Sequence, residues 1–361
     1  MLLKQLSINH CRVIEQAELT LSPSVNLICG DNGSGKSSIL EAVSILSRGR
    51  SFRTTRIADV IQYTKPSLLI RAQCIKQQQQ FHIGIEKDQS QTRIRVNQQN
   101  IQTQAALSRY LPVTLIDPNS VELVTGSPSV RRAYIDWIAF YLFPEFHKVW
   151  QNYQRILKQR NLCLRVSQYL SALPVWTDEL IKAQLQVIQY REQALVTLEP
   201  QLAVLAKQLL EGACVSVKLS TGFPQGMDLS TASQKAFYLE RYESELKANR
   251  TLSGAHRADL QVLFNGQAAQ HCASRGQLKL IAVALLLAQS RSIDVDHQHQ
   301  GIIAIDDLAA ELDSANRQCL LKTLQGLEQQ LLLTSTQEDL ISLHSNDHMF
   351  HVKHGQVNLK N

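Results

Sequence analysis

Apolar and polar side chains alternate along the first 110 residues of the chain. The alternation is clearest at residues 3–8, 68–75, 81–85 and 94–96, and polar turns separate these segments. A period of two residues is typical of strands that bury one face. The sequence therefore predicts a meander of short β-strands over this region, interrupted by one early helix.

Between residues 131 and 250 the apolar positions recur every three to four residues instead, and turn residues are few. This spacing predicts helices over residues 131–141, 146–170, 176–210 and 233–247. No heptad repeat persists through the segment, so we expect no long coiled-coil arm.

After residue 255, strand-like and helix-like segments alternate again. The pattern predicts a helix over residues 277–289, a buried strand at Ile302–Ile305, a helix over residues 315–329 and a strand at residues 331–333. We therefore predict an α/β fold of mixed sheets with flanking helices and a mostly helical insertion. The predicted domains are residues 1–130 plus 251–361 for the α/β part and residues 131–250 for the insertion.

Composition and charge narrow the classes of protein that fit. Of the 361 residues, 44% are hydrophobic, and no apolar run approaches the roughly 18 residues that a membrane helix needs. The N-terminal segment does not resemble a secretory leader, so we expect a cytoplasmic protein without a membrane segment. The seven cysteines are scattered singly, with no spacing that suits zinc. The net charge of +6 at pH 7 permits binding to a polyanion without demonstrating it.

The string GDNGSGKS, from Gly30 to Ser37, matches the phosphate-binding pattern G-x-x-x-x-G-K-[ST] in full. It lies between a strand-like run at Val25–Cys29 and a helix-like run that starts at Ser38, which is the order that this motif requires. A chance match on a Gly-rich turn is the alternative. Lys36 is expected to reach the β- and γ-phosphates of ATP, and Ser37 to bind Mg²⁺. The predicted ATP-binding residues are Gly30, Asp31, Asn32, Gly33, Ser34, Gly35, Lys36, Ser37 and Ser38.

Two acids, Asp306 and Asp307, follow the predicted strand Ile302–Ile305. In this Walker B arrangement the first acid holds the metal, so Asp306 is predicted to bind Mg²⁺ together with Ser37. Asp307 stands where ABC-type ATPases carry the carboxylate that orients or deprotonates the attacking water, which makes Asp307 and Lys36 the predicted catalytic residues. Most such enzymes have glutamate there, and the shorter arm of aspartate predicts slow hydrolysis. An ordinary strand end is the alternative for two acids taken alone.

Residues 274–277 read SRGQ, just before a helix-like run, and resemble the ABC signature LSGGQ with Arg275 in place of its first glycine. A serine hydroxyl and N–H groups at a helix start suit an anion. In the ABC family this motif contacts the γ-phosphate of ATP held by a second subunit. Ser274, Arg275, Gly276 and Gln277 are therefore expected to bind ATP in trans, in an ATP-driven homodimer. A plain N-capped helix is the alternative.

Other positions follow the order of ABC motifs less closely. Residues 310–313 (AELD) fall where the family has its D-loop. Thr334, Ser335 and Thr336 follow the strand that usually precedes the switch histidine, so a hydroxyl group is expected there as the γ-phosphate sensor, unless these are ordinary turn residues. The Q-loop glutamine has no obvious counterpart, and Thr114 is the nearest candidate.

Five strings together resemble the bacterial RecF family. They are LEAVSILSRGRSFRT at residues 40–54, TGSPSVRRAYIDW at 125–137, LKQRN at 157–161, GAHRADL at 254–260 and SRGQLK at 274–279. The resemblance that they carry extends over nearly the whole chain. Ala255 departs from the pattern, because the family commonly has proline there. The resemblance implies an ABC-type, SMC-like P-loop ATPase head, an ATP-dependent dimer and a clamp on DNA at gaps and junctions of single and double strands.

The resemblance also implies partners and a pathway. Members of the family work with RecO and RecR to help RecA replace single-strand-binding protein on DNA, and they contribute to the SOS response. The chain is accordingly expected to be a weak, DNA-stimulated ATPase of recombinational repair, with ATP and Mg²⁺ as cofactors.

Basic residues supply candidate DNA contacts. One group is Arg48, Arg50, Arg53 and Arg56, and a second is Arg155, Lys158, Arg160 and Arg165. Contacts of this kind would make binding salt-sensitive and indifferent to base sequence, whereas a solvated surface is the alternative. His256, Arg257 and Asp259 either line the composite ATP site or form a structural ion-pair cluster.

Two other functions share the ATP motifs. The ATPase subunit of a membrane transporter has the same nucleotide site, but its helical insertion is usually much shorter and the five strings would be unexplained. A structural DNA-binding protein that binds ATP without hydrolysing it is the other alternative.

Overall fold

The computed structural model describes residues 1–294, 301–307, 314–327, 329–341 and 343–360. The chain divides into two compact units. The first comprises Met1–Ser120, Lys207–Gly212 and Arg275–Asn361, and the second comprises Val121–Ala206 and Ala213–Ser274. These bounds differ from the predicted domains, most clearly at residues 251–274. The functional division of the chain stays a prediction.

The secondary structure, in chain order, is as follows. The strands are β1 (Leu2–Cys11), β2 (Ile14–Thr20), β3 (Val25–Cys29), β4 (Leu68–Lys76), β5 (Gln79–Lys87), β6 (Thr92–Val96), β7 (Gln99–Asn100), β8 (Val113–Ile116), β9 (Val215–Ser220), β10 (Asp259–Phe264), β11 (Gln267–Ala268), β12 (Ile302–Ile305), β13 (Gln330–Ser335), β14 (His348–Lys353) and β15 (Gln356–Lys360). The helices are α1 (Lys36–Arg48), α2 (Gln104–Ser108), α3 (Glu122–Thr125), α4 (Pro128–Leu142), α5 (Phe146–Arg165), α6 (Leu173–Leu209), α7 (Thr231–Glu240), α8 (Tyr242–Ala248), α9 (Ala269–Cys272), α10 (Arg275–Ser292) and α11 (Ser314–Gln325).

The first unit contains two six-stranded sheets. One has the order β2-β1-β4-β5-β6-β7 and is antiparallel, as the alternating pattern predicts. The other has the order β15-β14-β3-β13-β12-β8, in which all neighbours are parallel except β15 and β14. The strands β3 and β12 have the predicted bounds, and both are fully buried.

Helix α1 is buried along almost its whole length and contacts strands of both sheets. Its apolar residues Ile39, Leu40 and Val43 belong to the same core cluster as Leu6 of β1 and Leu332 of β13. A helix enclosed in this way has little freedom to shift, because protein interiors are close-packed. The position of α1 therefore fixes the loop that precedes it.

The second unit is mostly helical. The helices predicted over residues 131–141 and 176–210 are present as α4 and α6 with small shifts at their ends, whereas the helix predicted over residues 233–247 is divided into α7 and α8 at Arg241. The segment predicted as one helix over residues 146–170 is shorter, because α5 ends at Arg165 and Ser167–Ala172 forms a 3₁₀ helix. An antiparallel sheet with the order β11-β10-β9 was not predicted. Among the described residues, no helix combines the length and apolar character that spanning a membrane requires.

Candidate nucleotide-binding site

The phosphate-binding loop joins β3 to α1. Gly33 and Gly35 have φ angles of 79° and 118°, a left-handed region in which residues with a Cβ are strained. A Cβ on Gly35 would also lie 3.0 Å from Val13 Cγ2. The chain turns tightly there and enters the 13-residue helix α1 at Lys36. The N-terminus of a helix favours anions, so the loop ends where a phosphate group would be stabilised.

The ammonium group of Lys36 is held inside this loop. Its Nζ donates hydrogen bonds to the carbonyl oxygens of Gly30 (2.7 Å) and Asp31 (2.9 Å), and the residue is 7% exposed. Gly30 is required beside it, because a Cβ there would lie 2.2 Å from Val352 O. The loop therefore holds a fixed, shielded positive charge beside the helix start.

Hydroxyl groups connect the loop to the acids that follow β12. Ser37 Oγ and Thr334 Oγ1 each donate to Asp306 Oδ1 at 2.8 Å. The backbone N–H of Asp307 donates to Thr334 Oγ1, also at 2.8 Å. The strands β3, β13 and β12 are parallel neighbours, so their carboxyl ends meet at one edge of the sheet. The structure thus brings Ser37, Asp306 and Asp307 together as the motifs require.

A cleft of about 340 Å³ lies over this network. Its lining includes the predicted residues Asn32, Gly33, Gly35, Lys36, Ser37, Ser38, Asp306 and Asp307. Gly30 and Asp31 contribute the carbonyl oxygens that hold Lys36. Ser34 is buried, and its Oγ has no hydrogen-bond partner among the residues that the structure describes. Except for these three, the predicted phosphate-binding residues form one wall of the cleft.

Of the three candidate sensor residues, Thr334, Ser335 and Thr336, it is Thr334 that lines the cleft. The predicted strand at residues 331–333 extends to Ser335, so Thr334 lies within β13 and is not a turn residue. Its side chain is buried against Asp306 and Asp307. Thr336 follows the strand and is exposed.

Arg12 and Val13 also line the cleft, although no sequence motif pointed to them. They form the turn between β1 and β2. Arg12 donates through Nε and Nη2 to the two carboxylate oxygens of Glu41 in α1, at 2.8 Å each. The hydrogen bond to Glu41 is the main reason that the pKa of Arg12 is raised. The one hint in the sequence is Glu41, the single acid in the helix-like run that starts at Ser38.

The side chains at the cleft suit a magnesium nucleotide. Ser37 and Asp306 present hard oxygen ligands, which Mg²⁺ prefers. Lys36 and the start of α1 supply the positive charge and dipole that phosphates require. Ser37 and Asp306 would therefore hold Mg²⁺, and the loop would hold the phosphate groups of ATP.

Thr114 does not line the cleft. It is buried within β8, where it pairs with Ile303 of β12. The residue that follows β8 at the edge of the sheet is Asp117, and the backbone N–H of Asp306 donates to Ile116 O at 2.8 Å. Burial, with a further contribution from the charge of Asp306, raises the pKa of Asp117. The residue after β8 is therefore a carboxylic acid near enough to Asp306 to be affected by its charge.

The residues of the signature-like motif lie at the start of α10. Ser274 immediately precedes the helix, Arg275 is its first residue, and both are exposed. Gly276 and Gln277 follow in the first turn and are half-buried. Their contact with ATP in trans stays a prediction. The D-loop residues 310–313 lie outside the described residues.

The predicted DNA contact at Arg160 is wrong. This side chain is 2% exposed and donates to Glu245 Oε2 at 2.6 Å, Thr177 Oγ1 at 2.9 Å and Thr251 Oγ1 at 2.7 Å. Its three companions on α5, Arg155, Lys158 and Arg165, are exposed.

The four arginines at and after the end of α1 lie in different environments. Arg53 and Arg50 are both exposed, and Arg53 lines the cleft whereas Arg50 does not. Arg48 donates through Nη2 to Val113 O at 2.9 Å, and Arg56 Nε lies 3.9 Å from Asp59 Oδ1. Arg53 is therefore the member of this group that is placed to meet a nucleotide.

His256 and Asp259 belong to a structural cluster in the second unit. His256 Nδ1 lies 2.9 Å from Tyr153 Oη, and Nε2 lies 3.1 Å from Thr251 O. Asp259 accepts two hydrogen bonds from Arg131, at 2.7 and 3.0 Å. Burial is the main reason that the pKa of His256 is lowered to about 4. These contacts favour the structural alternative, in which both side chains stabilise the fold.

Acidification is expected to destabilise the protein through His256. Below its ordinary pKa of 6.5, this histidine takes up a proton in the unfolded chain but stays neutral in the fold until about pH 4. The free energy of unfolding should therefore fall between pH 6.5 and 4, by up to about 1.4 kcal/mol per pH unit. Urea denaturation at a series of pH values should show a flatter profile for His256→Gln. His82→Gln, at an exposed position, should keep the wild-type slope, and equal slopes in both variants would contradict this assignment.

Comparison with known proteins agrees with these features. The family described as RecF/RecN/SMC N terminal domain matches residues 2–360. A protein of Shewanella amazonensis named DNA replication and repair protein RecF is 36% identical over 361 residues, which cover 99% of both chains. A protein of the same name from Haemophilus influenzae is 34% identical over 364 residues, which cover 100% of both chains.

Solved structures show the same fold. The structure of the recombination mediator protein RecF-ATPrS in the RecFOR pathway has a TM-score of 0.86 at 22% identity, covering 99% of this chain and 98% of that chain. An Smc head bound to the C-winged helix domain of ScpA has a TM-score of 0.58 at 14% identity, covering 100% and 98%. The predicted fold class, an ABC-type, SMC-like P-loop ATPase head, is confirmed. From the family match and the full-length likeness to these relatives, the chain belongs to the RecF family.

Proposed function

We propose that the chain is an ATP-dependent DNA-binding protein of recombinational repair, in which two copies close around two ATP molecules. The observation that carries the proposal is the contact of Ser37 with Asp306, 2.8 Å apart, beside the buried cation of Lys36. Full-length relatives named DNA replication and repair protein RecF support it, as do solved structures described as RecF-ATP in the RecFOR pathway.

ATP and Mg²⁺ are the proposed cofactors. Lys36 binds the β- and γ-phosphates, with Gly33 and Gly35 shaping the loop around them. Ser37 and Asp306 hold Mg²⁺, which when bound neutralises charge on the phosphate oxygens. The proposed ATPase domain, which binds ATP and Mg²⁺, comprises residues 1–130 and 251–361. The proposed helical insertion comprises residues 131–250.

Asp307 is the proposed catalytic carboxylate. Its backbone is fixed by the hydrogen bond to Thr334 and has a φ of 53°. From this position its carboxylate orients or deprotonates the attacking water, and Lys36 stabilises charge on the phosphate. Aspartate has one methylene group fewer than the glutamate of most ABC enzymes. We therefore propose slow hydrolysis of ATP to ADP and phosphate, stimulated weakly by DNA.

The proposed switch is dimerisation. Ser274, Arg275, Gly276 and Gln277 of one copy contact the γ-phosphate held by the other copy's loop. The exposed position of Ser274 and Arg275 before and at the start of α10 supports this, because a partner can reach both. A ligand that binds the dimer better than the monomer drives association by mass action.

Asp307→Asn is expected to trap the ATP-bound dimer. Asparagine tolerates the left-handed backbone at this position, so the fold and ATP binding should persist while hydrolysis falls by roughly 100-fold or more. Sedimentation velocity with ATP and Mg²⁺ should show a lasting dimer for the variant and a transient one for the wild type. Ser274→Arg is the matched interface variant and should stay monomeric. Wild-type protein that remains a monomer at saturating ATP and Mg²⁺ would refute the switch.

DNA is the proposed macromolecular ligand. The exposed residues Arg155, Lys158 and Arg165 are candidate phosphate contacts. The proposed dimer clamps DNA at gaps or junctions in the cytoplasm and, with RecO and RecR, promotes RecA loading on DNA coated by single-strand-binding protein. A contribution to the SOS response follows from the same activity.

DNA binding should require ATP and weaken steeply with salt. Purified protein is titrated against labelled duplex, gapped and single-stranded DNA, each with and without ATP, at 50 and 200 mM salt. If about six phosphates are contacted, affinity should fall roughly 1,000-fold between these salt concentrations. Binding that barely changes with salt would remove the clamp. ATP binding without any DNA binding would favour a transporter subunit, and DNA binding without ADP formation would favour a structural protein.

A further inference from the structure

An aromatic groove lies between α4 and α5 in the second unit. It encloses about 450 Å³, and its walls include Trp137, Phe140, Phe146, His147 and Trp150. Phe146 is buried, whereas the other four rings are partly exposed. We call this space the α4–α5 groove. It is separate from the nucleotide cleft, which consists of residues of the first unit.

The groove follows from helical spacing. On α4 its lining residues recur at Ser129, Arg132, Asp136 and Phe140, and on α5 they recur at His147, Trp150 and Gln154. Side chains three or four residues apart share one face of a helix. Each helix therefore turns a strip that combines aromatic and polar groups toward the same space.

The floor of the groove is rigid and nearly neutral. Arg191 donates through Nε and Nη2 to both carboxylate oxygens of Asp136, at 2.7 and 2.9 Å, and through Nη1 to Ala255 O at 2.6 Å. His256 is neutral at physiological pH, because burial lowers its pKa to about 4. Groups whose hydrogen bonds are already satisfied hold their positions, so the groove is preorganised.

The rim of the groove carries positive charge. Arg132 donates through Nη1 to Ala258 O at 2.8 Å, and burial, followed by the charge of Arg191, lowers the pKa of Arg132. Burial and the neighbouring positive charge disfavour the charged form of Arg132, and an anion bound beside it would stabilise that form. Lys158 is exposed and lies eight residues after Trp150 on α5, about 12 Å further along the same side of the helix.

We propose that the α4–α5 groove binds an unpaired nucleobase of single-stranded DNA. Trp150 and Trp137 provide the stacking surfaces, and Arg132 and Lys158 contact the flanking phosphates. Proteins bind single-stranded DNA with aromatic rings that lie among basic side chains. The rings stack on the bases, and the basic side chains contact the negatively charged phosphate that joins each pair of nucleotides. In a duplex the bases are stacked and paired, so they do not enter a groove of this kind.

The proposal rests on the proposed DNA-binding function and names the part of the DNA that this surface takes. Charge complementarity selects the occupant, since the one acid that lines the groove, among the described residues, is paired with Arg191. An acidic peptide would meet the same cations, and the test below separates the two.

Tryptophan fluorescence reports on the groove directly. The chain has three tryptophans, of which Trp137 and Trp150 line the groove and Trp176 does not. Oligothymidylate added to the full-length protein should quench the emission, because a stacked base quenches indole fluorescence. Trp176→Phe removes an emitter outside the groove, so it should leave the absolute loss of emission intact and raise the fractional quenching.

Affinity for the same oligonucleotide separates stacking from structure. Trp150→Ala should weaken binding of oligothymidylate roughly 10-fold, because one stacked base contributes about 1–3 kcal/mol. Trp150→Phe keeps a ring and should stay within about threefold of wild type. Lys158→Gln should weaken binding and reduce its salt dependence, whereas Lys148→Gln, on the far side of α5, should not. Duplex DNA affinity should not change in Trp150→Ala or Trp150→Phe, and ATP affinity should not change in any of these variants.

The results separate this proposal from the wider one. Suppose that a folded Trp150→Ala variant binds both oligothymidylate and duplex DNA as the wild type does. This result would refute base binding in the α4–α5 groove but would not contradict the proposed DNA-binding function. Absence of quenching while oligothymidylate binds also overturns base binding in the groove, because the bound DNA would then not stack on Trp137 or Trp150. Wild-type protein that binds no DNA of any kind removes the proposed function itself.

Discussion

Arg160→Met is expected to lower the free energy of unfolding by roughly 3–5 kcal/mol. Arg160 is enclosed by Glu245, Thr177 and Thr251, and its guanidinium also lies 4.6 Å from the ring centroid of Tyr238. Glu245 is 1% exposed and would be left without its cation. An uncompensated carboxylate in such surroundings costs several kcal/mol or takes up a proton, and either result destabilises the fold.

Thermal and urea denaturation of the full chain should show this loss. Hydrogen exchange of the α5 and α8 amides should rise as well, because the ion pair joins these helices. Arg155→Met, at an exposed position five residues earlier, should change stability by less than about 0.5 kcal/mol. The double variant Arg160→Met with Glu245→Leu should recover part of the stability, since it removes both buried charges. A single variant as stable as wild type would show that the pair contributes nothing.

The wrong prediction for Arg160 shows that a group of basic residues on one helix does not by itself identify exposed DNA contacts. Arg155, Lys158 and Arg165 are exposed as expected, but Arg160 shares the buried stripe of α5 with Tyr153, Ile156 and Leu164. The three-to-four-residue spacing therefore already indicated a buried position. Its partners Glu245 and Thr251 lie 85 and 91 residues away, so their contacts could not be foreseen.

The nucleotide site was more predictable because its parts are contiguous. The strand β3, the loop and the start of α1 are encoded in one short segment. The strand has its predicted bounds, and α1 begins at Lys36, two residues before the predicted start. Arg12 reaches the same cleft through the turn between β1 and β2, and only the tertiary structure brings it to Glu41. A motif thus identifies site residues that are close together in the sequence. Site residues that come from other helices or strands, such as Arg12, can be identified only from the tertiary structure.

The missed sheet in the second unit has a related cause. Val215 and Val217 of β9, like Leu260 and Val262 of β10, show the alternation of half-buried strands. These strands are short, they lie among long helices, and the partners are about 40 residues apart in the chain. Strand propensity depends on the neighbouring strand, so isolated short runs give weak predictions.

Lys36→Met is expected to weaken ATP binding by at least about 100-fold, because one charge-assisted contact to phosphate contributes roughly 1.5–3 kcal/mol and Lys36 is proposed to contact both the β- and the γ-phosphate. Methionine has nearly the length of lysine but no charge and no donor. The carbonyl oxygens of Gly30 and Asp31 would also lose their partner, so the loop itself should become less ordered. Titration of a fluorescent ATP analogue measures the affinity, and sedimentation with ATP should then show a monomer.

Lys87→Met is the control that isolates the effect on the nucleotide. Lys87 is also a buried lysine of the first unit, and its Nζ donates to Gly49 O at 2.6 Å, but it does not line the cleft. Both variants lose a buried hydrogen bond to a carbonyl oxygen and should therefore lose stability. ATP affinity should fall in Lys36→Met alone, with Lys87→Met within about threefold of wild type. If the two variants lost affinity equally, the weakening would reflect the fold of the unit, and the role of Lys36 at the phosphates would have no support.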